Sequence, residues 1–187
     1  MELLKTKPTG SFNQLSNSKA IVSKALDFPP PPLLIERYAK ENKVTEAEAF
    51  TAFQEVKKFL AVCATKTGHN FVPSKEVDSM WHTFILFTKS YGLFCHELGG
   101  YIHHQPTGGG DKRSLEGYIN TLQALSKVFG NVDAMWWPQA SSDSGFDCCD
   151  HECAAGVVQQ DKATHASRVN LLSTDCASCC SDCCKMS

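Results

Sequence analysis

An all-α body carrying a cysteine-rich, mostly irregular C-terminal tail is the architecture this sequence predicts. Three observations predict it. Apolar residues recur every three or four positions through successive stretches of the first 139 residues, as one buried helical face requires. No stretch between them alternates convincingly with period two. Eight of the ten cysteines fall after residue 147, and the segment 140–187 that holds them has no Trp or Tyr and a single Phe, Phe146. Residues 1–139 are therefore read as a compact bundle of four or five helices, with a flexible lead-in over roughly the first 15. Residues 140–187, entered through a Ser/Asp/Gly hinge at Ser141 to Gly145, are read as an appendage unable to build its own apolar core.

The elements follow in order. Asn17 to Leu26 is read as a short helix with Ile21, Val22, Ala25 and Leu26 on its apolar side. Pro29 to Pro32 stop it and favour a stiff extended link, and Pro32 opens a helix carrying Leu33, Leu34, Tyr38 and Ala39. The same proline run has the chemistry of an SH3 ligand, but a spacer between helices is the commoner role. Thr45 and Glu48 form a capping box for a helix whose apolar positions are Ala49, Phe50, Phe53, Val56, Phe59, Leu60 and Cys63. Ser74 caps a long helix with the stripe Val77, Met80, Trp81, Phe84, Phe87, Tyr91, Phe94 and Leu98, ended by Gly99-Gly100. Ser114 caps a last helix through Leu115, Tyr118, Leu122, Leu125 and Phe129, stopped at Gly130. Met135-Trp136-Trp137-Pro138 then folds back on the bundle.

Several function classes are excluded at this level. A formal charge of -2, from 18 basic and 20 acidic residues, gives no electrostatic case for a nucleic-acid partner. No run approaches the ~18 apolar residues of a membrane span. The first fifteen residues lack an apolar core and a small-residue cleavage site, so the reading is a cytoplasmic protein. No phosphate loop, G-x-G-x-x-G, H-E-x-x-H or serine nucleophile turn appears.

Two constellations carry chemistry. In the body, Asp78 and His82 stand four apart, on one face of a helix. They either offer two ligands to one ion or form a hydrogen-bonded pair. On an unbroken helix His82 and Cys95 are separated by about 20 Å at about 1.5 Å per residue, too far to share a metal. His103 and His104 follow the Gly-Gly turn and double back more easily, so Cys95, His103 and His104 make the easier site, with N/S ligation suited to zinc or iron. Cysteine–histidine catalysis would need a reactive thiolate. Cys95, on the apolar stripe beside Phe94, reads instead as an inert buried thiol.

The tail is the stronger signal. Cys148, Cys149 and Cys153 are followed by Cys176, Cys179, Cys180, Cys183 and Cys184, with two C-x-x-C pairs in series. Cys149, Cys153, Cys176 and Cys179 suit a four-thiolate zinc ion. The remaining thiols, with His151 or His165, suit a second zinc site, or the whole string suits copper(I). Disulfides, S-acylation and modification by another enzyme that uses the helical body as its handle are the competing readings.

The stretch V-D-x-x-W-H-x-F-I-L-F-T from Val77 to Thr88, then Y-x-x-F-C from Tyr91 to Cys95 and H-H-x-P from His103 to Pro106, resembles the bacterial branch of the glycine-rich-domain-containing-protein-like family over roughly residues 35–139. The resemblance implies a small helical domain with no established reaction. Plant relatives resemble D-x-x-W-H-x-H, and here Phe84 stands where the second histidine would be. The long glycine-rich region is also missing, so its suggested nucleic-acid role does not transfer. The expected function is thus metal binding or metal handling, with a metal ion as partner and a protein partner or modifying enzyme at the tail. The alternative is a metal-dependent enzyme built on Asp78, His82, Cys95, His103 and His104.

Overall fold

The computed structural model describes residues 10–65, 70–107, 112–140 and 152–159 of the 187. Among these residues lie six helices and two strands: α1 (Gly10–Asp27), α2 (Leu34–Asn42), α3 (Glu46–Thr65), α4 (Lys75–Leu86), α5 (Thr88–Glu97), β1 (Gly100–Thr107), α6 (Lys112–Phe129) and β2 (Glu152–Gln159). Helix α3 is the axis. It packs against α1, α2, α4, α6 and both strands, and it buries Ala49, Ala52, Phe53, Val56, Phe59, Leu60, Ala61 and Val62 completely. Its start is the capping box: the Glu48 N–H donates to Thr45 Oγ1 at 3.2 Å, and the Thr45 N–H donates to Glu48 Oε2 at 2.8 Å. One buried cation serves the same core. Lys57 Nζ donates to the Leu26 and Phe28 carbonyls at 2.6 and 3.0 Å, satisfying the C-terminal end of α1.

The helical bundle expected from the periodicity is present, with particular boundaries moved. Helix α1 begins at Gly10 rather than Asn17, and α2 begins at Leu34, after a turn in which Leu33 is left-handed. Ser74 does cap α4, accepting from the Val77 N–H at 3.3 Å. Helix α6 starts at Lys112, so Ser114 lies inside it rather than at its cap. Phe50, placed on the buried face by its spacing, is 47% exposed.

The main correction concerns the long helix expected to run from Ser74 to Leu98. It breaks at Phe87 (φ -83, ψ 58), whose N–H donates to the Phe84 carbonyl at 3.0 Å. Gly92, the one weak point legible in the sequence, lies inside α5. Packing explains the break. On a continuous helix Phe84 and Phe94 would be separated by about 15 Å along the axis. Their ring centroids are in fact 5.5 Å apart, and those of Phe84 and Tyr91 are 5.2 Å apart. The chain therefore folds back on itself to bury three aromatic rings against one another, which an unbroken helix cannot do.

The break also redirects the chain into a sheet that the sequence reading does not contain. Gly99 takes a left-handed turn (φ 91) and β1 follows. Strand β1 pairs antiparallel with β2, with Ile102 opposite Val157, His104 opposite Ala155 and Pro106 opposite Cys153. Ile102 is fully buried while Tyr101 is 41% exposed, so one face of β1 is turned to the core.

Candidate metal centre

Three side chains converge where α4 meets β1. Asp78 and His82 lie one turn apart on α4, as their spacing requires, and His104 reaches them from β1. His82 Nδ1 is 3.1 Å from Asp78 Oδ2 and 2.9 Å from the Asp78 carbonyl. His104 Nε2 is 3.2 Å from Asp78 Oδ1. The two imidazole rings are 4.2 Å apart between centroids. One ligand atom from each residue lies within 4.8 Å of the other two. Exposure is graded: Asp78 and His104 side chains are 9% and 11% exposed, and His82 is 53% exposed.

The neighbouring structure fixes His104. Trp81 Nε1 donates to Tyr91 Oη at 3.1 Å, and the Tyr91 hydroxyl donates to the Ile102 carbonyl at 2.6 Å. This buried relay links α4, α5 and β1. It anchors β1 two residues before His104, whose ring lies 4.5 Å from that of Trp81. The opposite face of β1 carries His103, exposed and 4.8 Å from the Tyr101 ring. The two adjacent histidines therefore serve different faces, and His104 alone of the two joins the cluster.

The electrostatics couple Asp78 to its two imidazole neighbours. Burial pushes the Asp78 carboxyl up, but hydrogen bonds from His104 and His82 outweigh it and hold the group below the ordinary carboxylate value. The hydrogen bond to Asp78 raises His82 above the ordinary imidazole value. Charge-assisted N–H···O⁻ bonds usually measure about 2.7–2.9 Å. Ligand atoms held tetrahedrally at about 2.0–2.1 Å from one ion stand about 3.3 Å apart. The two carboxylate–imidazole distances, 3.1 and 3.2 Å, run to different oxygens of Asp78 and lie between these two figures.

Cys95 stands apart from this cluster. It is buried, it bonds Tyr91 and the backbone at Ile102, and burial pushes its thiol up. The thiolate that cysteine–histidine catalysis requires is disfavoured there. The trio Cys95, His103 and His104 is not assembled, whereas Asp78, His82 and His104 are. Of the tail residues, Cys148, Cys149, Cys176, Cys179, Cys180, Cys183 and Cys184 lie outside the described residues, and Cys153 occupies a position in β2. Among the described residues no helix is long and apolar enough to cross a membrane.

The model of a family described as UCP032817-like matches residues 20–115, just over half of the chain and inclusive of Asp78, His82 and His104. No curated protein and no solved structure matches the chain significantly.

Proposed function

We propose a metal-binding role for this chain, which belongs to the UCP032817-like family, with Asp78, His82 and His104 as ligands to one divalent ion. The observation that carries this reading is the convergence of a buried carboxylate and two imidazoles from separate elements within 4.8 Å. One oxygen and two nitrogen donors in a small cluster suit zinc first, and ferrous iron second. The reading keeps the resemblance to the glycine-rich-domain-containing-protein-like family as a proposal, with one change of part. Phe84, at the position of the second motif histidine, is fully buried in the aromatic core. The second imidazole comes from His104 on β1 instead.

Metal handling rather than cysteine catalysis is the role we favour, in the cytoplasm, because Cys95 is buried beside Tyr91 and Ile102 and lacks the character of a nucleophile. The eight tail thiols remain a proposed second store for zinc or copper(I).

The test is metal content per chain after purification under reducing conditions and incubation with zinc. Wild type, Asp78→Asn with His104→Ala, and a variant with all eight tail cysteines changed to Ser are compared. The tail variant should keep one zinc per chain and the double body variant should lose one. Equal metal in wild type and the folded double body variant would overturn the body site.

A further inference from the structure

Resting on the metal site just proposed, we infer that its ion takes a small organic carboxylate as an exchangeable fourth ligand, on the solvent side of His82 and with its apolar part along Leu86. Exposure sets the side of entry. The Asp78 and His104 side chains are 9% and 11% exposed, while His82 is 53% exposed. Trp81, fully buried and edge-on to His104 at 4.5 Å, stands on the inner side. An incoming molecule therefore meets the cluster past His82. Among the described residues no fourth histidine, cysteine or carboxylate joins the group. Zinc sites with four protein ligands are structural and closed, whereas those with three give the fourth position to water or substrate.

Charge and neighbours set the class. A divalent ion and the single carboxylate of Asp78 leave one positive charge in a mostly buried group. A monoanion neutralises it, since a buried charge is costly unless paired. Carboxylate oxygen is an ordinary zinc ligand, at about 2.0–2.2 Å. Leu86 supplies the other half of the recognition. Asp78, His82 and Leu86 succeed one another at four-residue spacing on α4, so Leu86 is the next neighbour of His82 along that side of the helix. It is 60% exposed and stands about 6 Å from His82 along the axis, at about 1.5 Å per residue. That is the length of a short alkyl chain, so a carboxylate head on the ion lays its methylenes over Leu86. Binding is a ligand exchange: the carboxylate lone pair forms the new bond, a water molecule leaves to solvent, and no electron is transferred.

Cobalt(II) replaces zinc as the probe, because its visible absorption reports a change of ligand. The full-length chain with all eight tail cysteines changed to Ser is loaded with cobalt and titrated with acetate, propionate, butyrate and pentanoate. Each should move the cobalt bands to a saturating end point. A fully buried methylene brings about fourfold in affinity, so a chain half-covered on Leu86 should gain about twofold per methylene. Leu86→Ser should flatten that gain. Cobalt bands that no carboxylate moves would overturn the proposal and leave the three-residue site standing. Equal affinity across the series, or a gain that survives Leu86→Ser, would overturn the class assigned to the ligand. The wild-type chain tests whether a tail thiolate takes the position instead. With both chains saturated with cobalt, the spectrum of wild type minus that of Asp78→Asn with His104→Ala isolates the body ion. A near-ultraviolet thiolate charge-transfer band in that difference would overturn the proposal. No cobalt bound in the eightfold Ser chain, with its helical circular dichroism intact, would overturn this inference together with the reading it rests on.

Discussion

Trp137 Nε1 donates to Glu55 Oε2 at 2.8 Å, joining the end of the body to the middle of α3 across 82 residues of sequence. Both partners are buried, and Glu55 also pairs with Lys58 Nζ at 2.7 Å. Trp137→Phe keeps most of the ring and removes the donor. It should cost about 1.5–3 kcal/mol, the usual range for a hydrogen bond to a charged group. Urea unfolding should show a lower midpoint at unchanged slope. A loss below about 0.5 kcal/mol would mean that the bond adds nothing to the fold.

The relay through Tyr91 gives a second test. Tyr91→Phe leaves the Trp81 indole N–H and the Ile102 carbonyl without their buried partner. Each orphaned group should cost about 1–3 kcal/mol. Trp81→Ala, which also empties a fully buried volume, should cost about 3–5 kcal/mol. Zinc affinity should fall in Tyr91→Phe as well, because β1 loses its anchor. A stable variant with unchanged zinc affinity would detach the relay from the site.

Gly117 is a packing glycine on α6. A Cβ added there would lie 2.7 Å from Asn70 Nδ2 and 2.7 Å from Val72 Cγ2. Gly117→Ala gains up to about 1 kcal/mol in helix propensity. Overpacking of this kind typically costs about 1–3 kcal/mol. A net loss of about 1 kcal/mol is expected in thermal or urea unfolding, and a gain would show that the 70–72 segment yields freely.

The clustered ligands should make stability and metal binding run in opposite directions with pH. Asp78 is held below its ordinary value of 3.8, so its contribution is present above that pH and is lost as pH falls through the folded value. His82 is held above its ordinary 6.5, so its contribution is complete below that pH and is lost as pH rises through the folded value. The metal-free chain thus draws most from the cluster between these two ordinary values. Zinc must displace the His82 proton, so its affinity should begin to fall at a pH above 6.5 and weaken steadily below it. Melting curves with and without zinc across about pH 5 to 8 check this. A zinc-induced shift that is constant over that range would contradict it.

Local signals were readable in the sequence because they depend on neighbours in the chain. The Thr45–Glu48 box, the Ser74 cap and the Asp78–His82 spacing all stand as the pattern implies. The break at Phe87 carries no Gly or Pro signature, since its cause is the mutual packing of Phe84, Tyr91 and Phe94. Strand β1 was hidden for another reason. Its inner face takes His104 and its outer face takes Tyr101, so hydropathy does not alternate even though the side chains do. Without the break and the strand, His104 reads first as a partner of Cys95 and His103, and joins Asp78 and His82 only in the five-residue alternative.

The edge-on contact of Trp81 with His104, at 4.5 Å between centroids, gives the molecule a light-emitting witness to its own site. An open-shell ion held beside an indole drains its excited state, and Trp81 is fully buried. Occupation of the proposed site by such an ion would thereby be written into the intrinsic glow of the chain, and no dye need be attached to follow it.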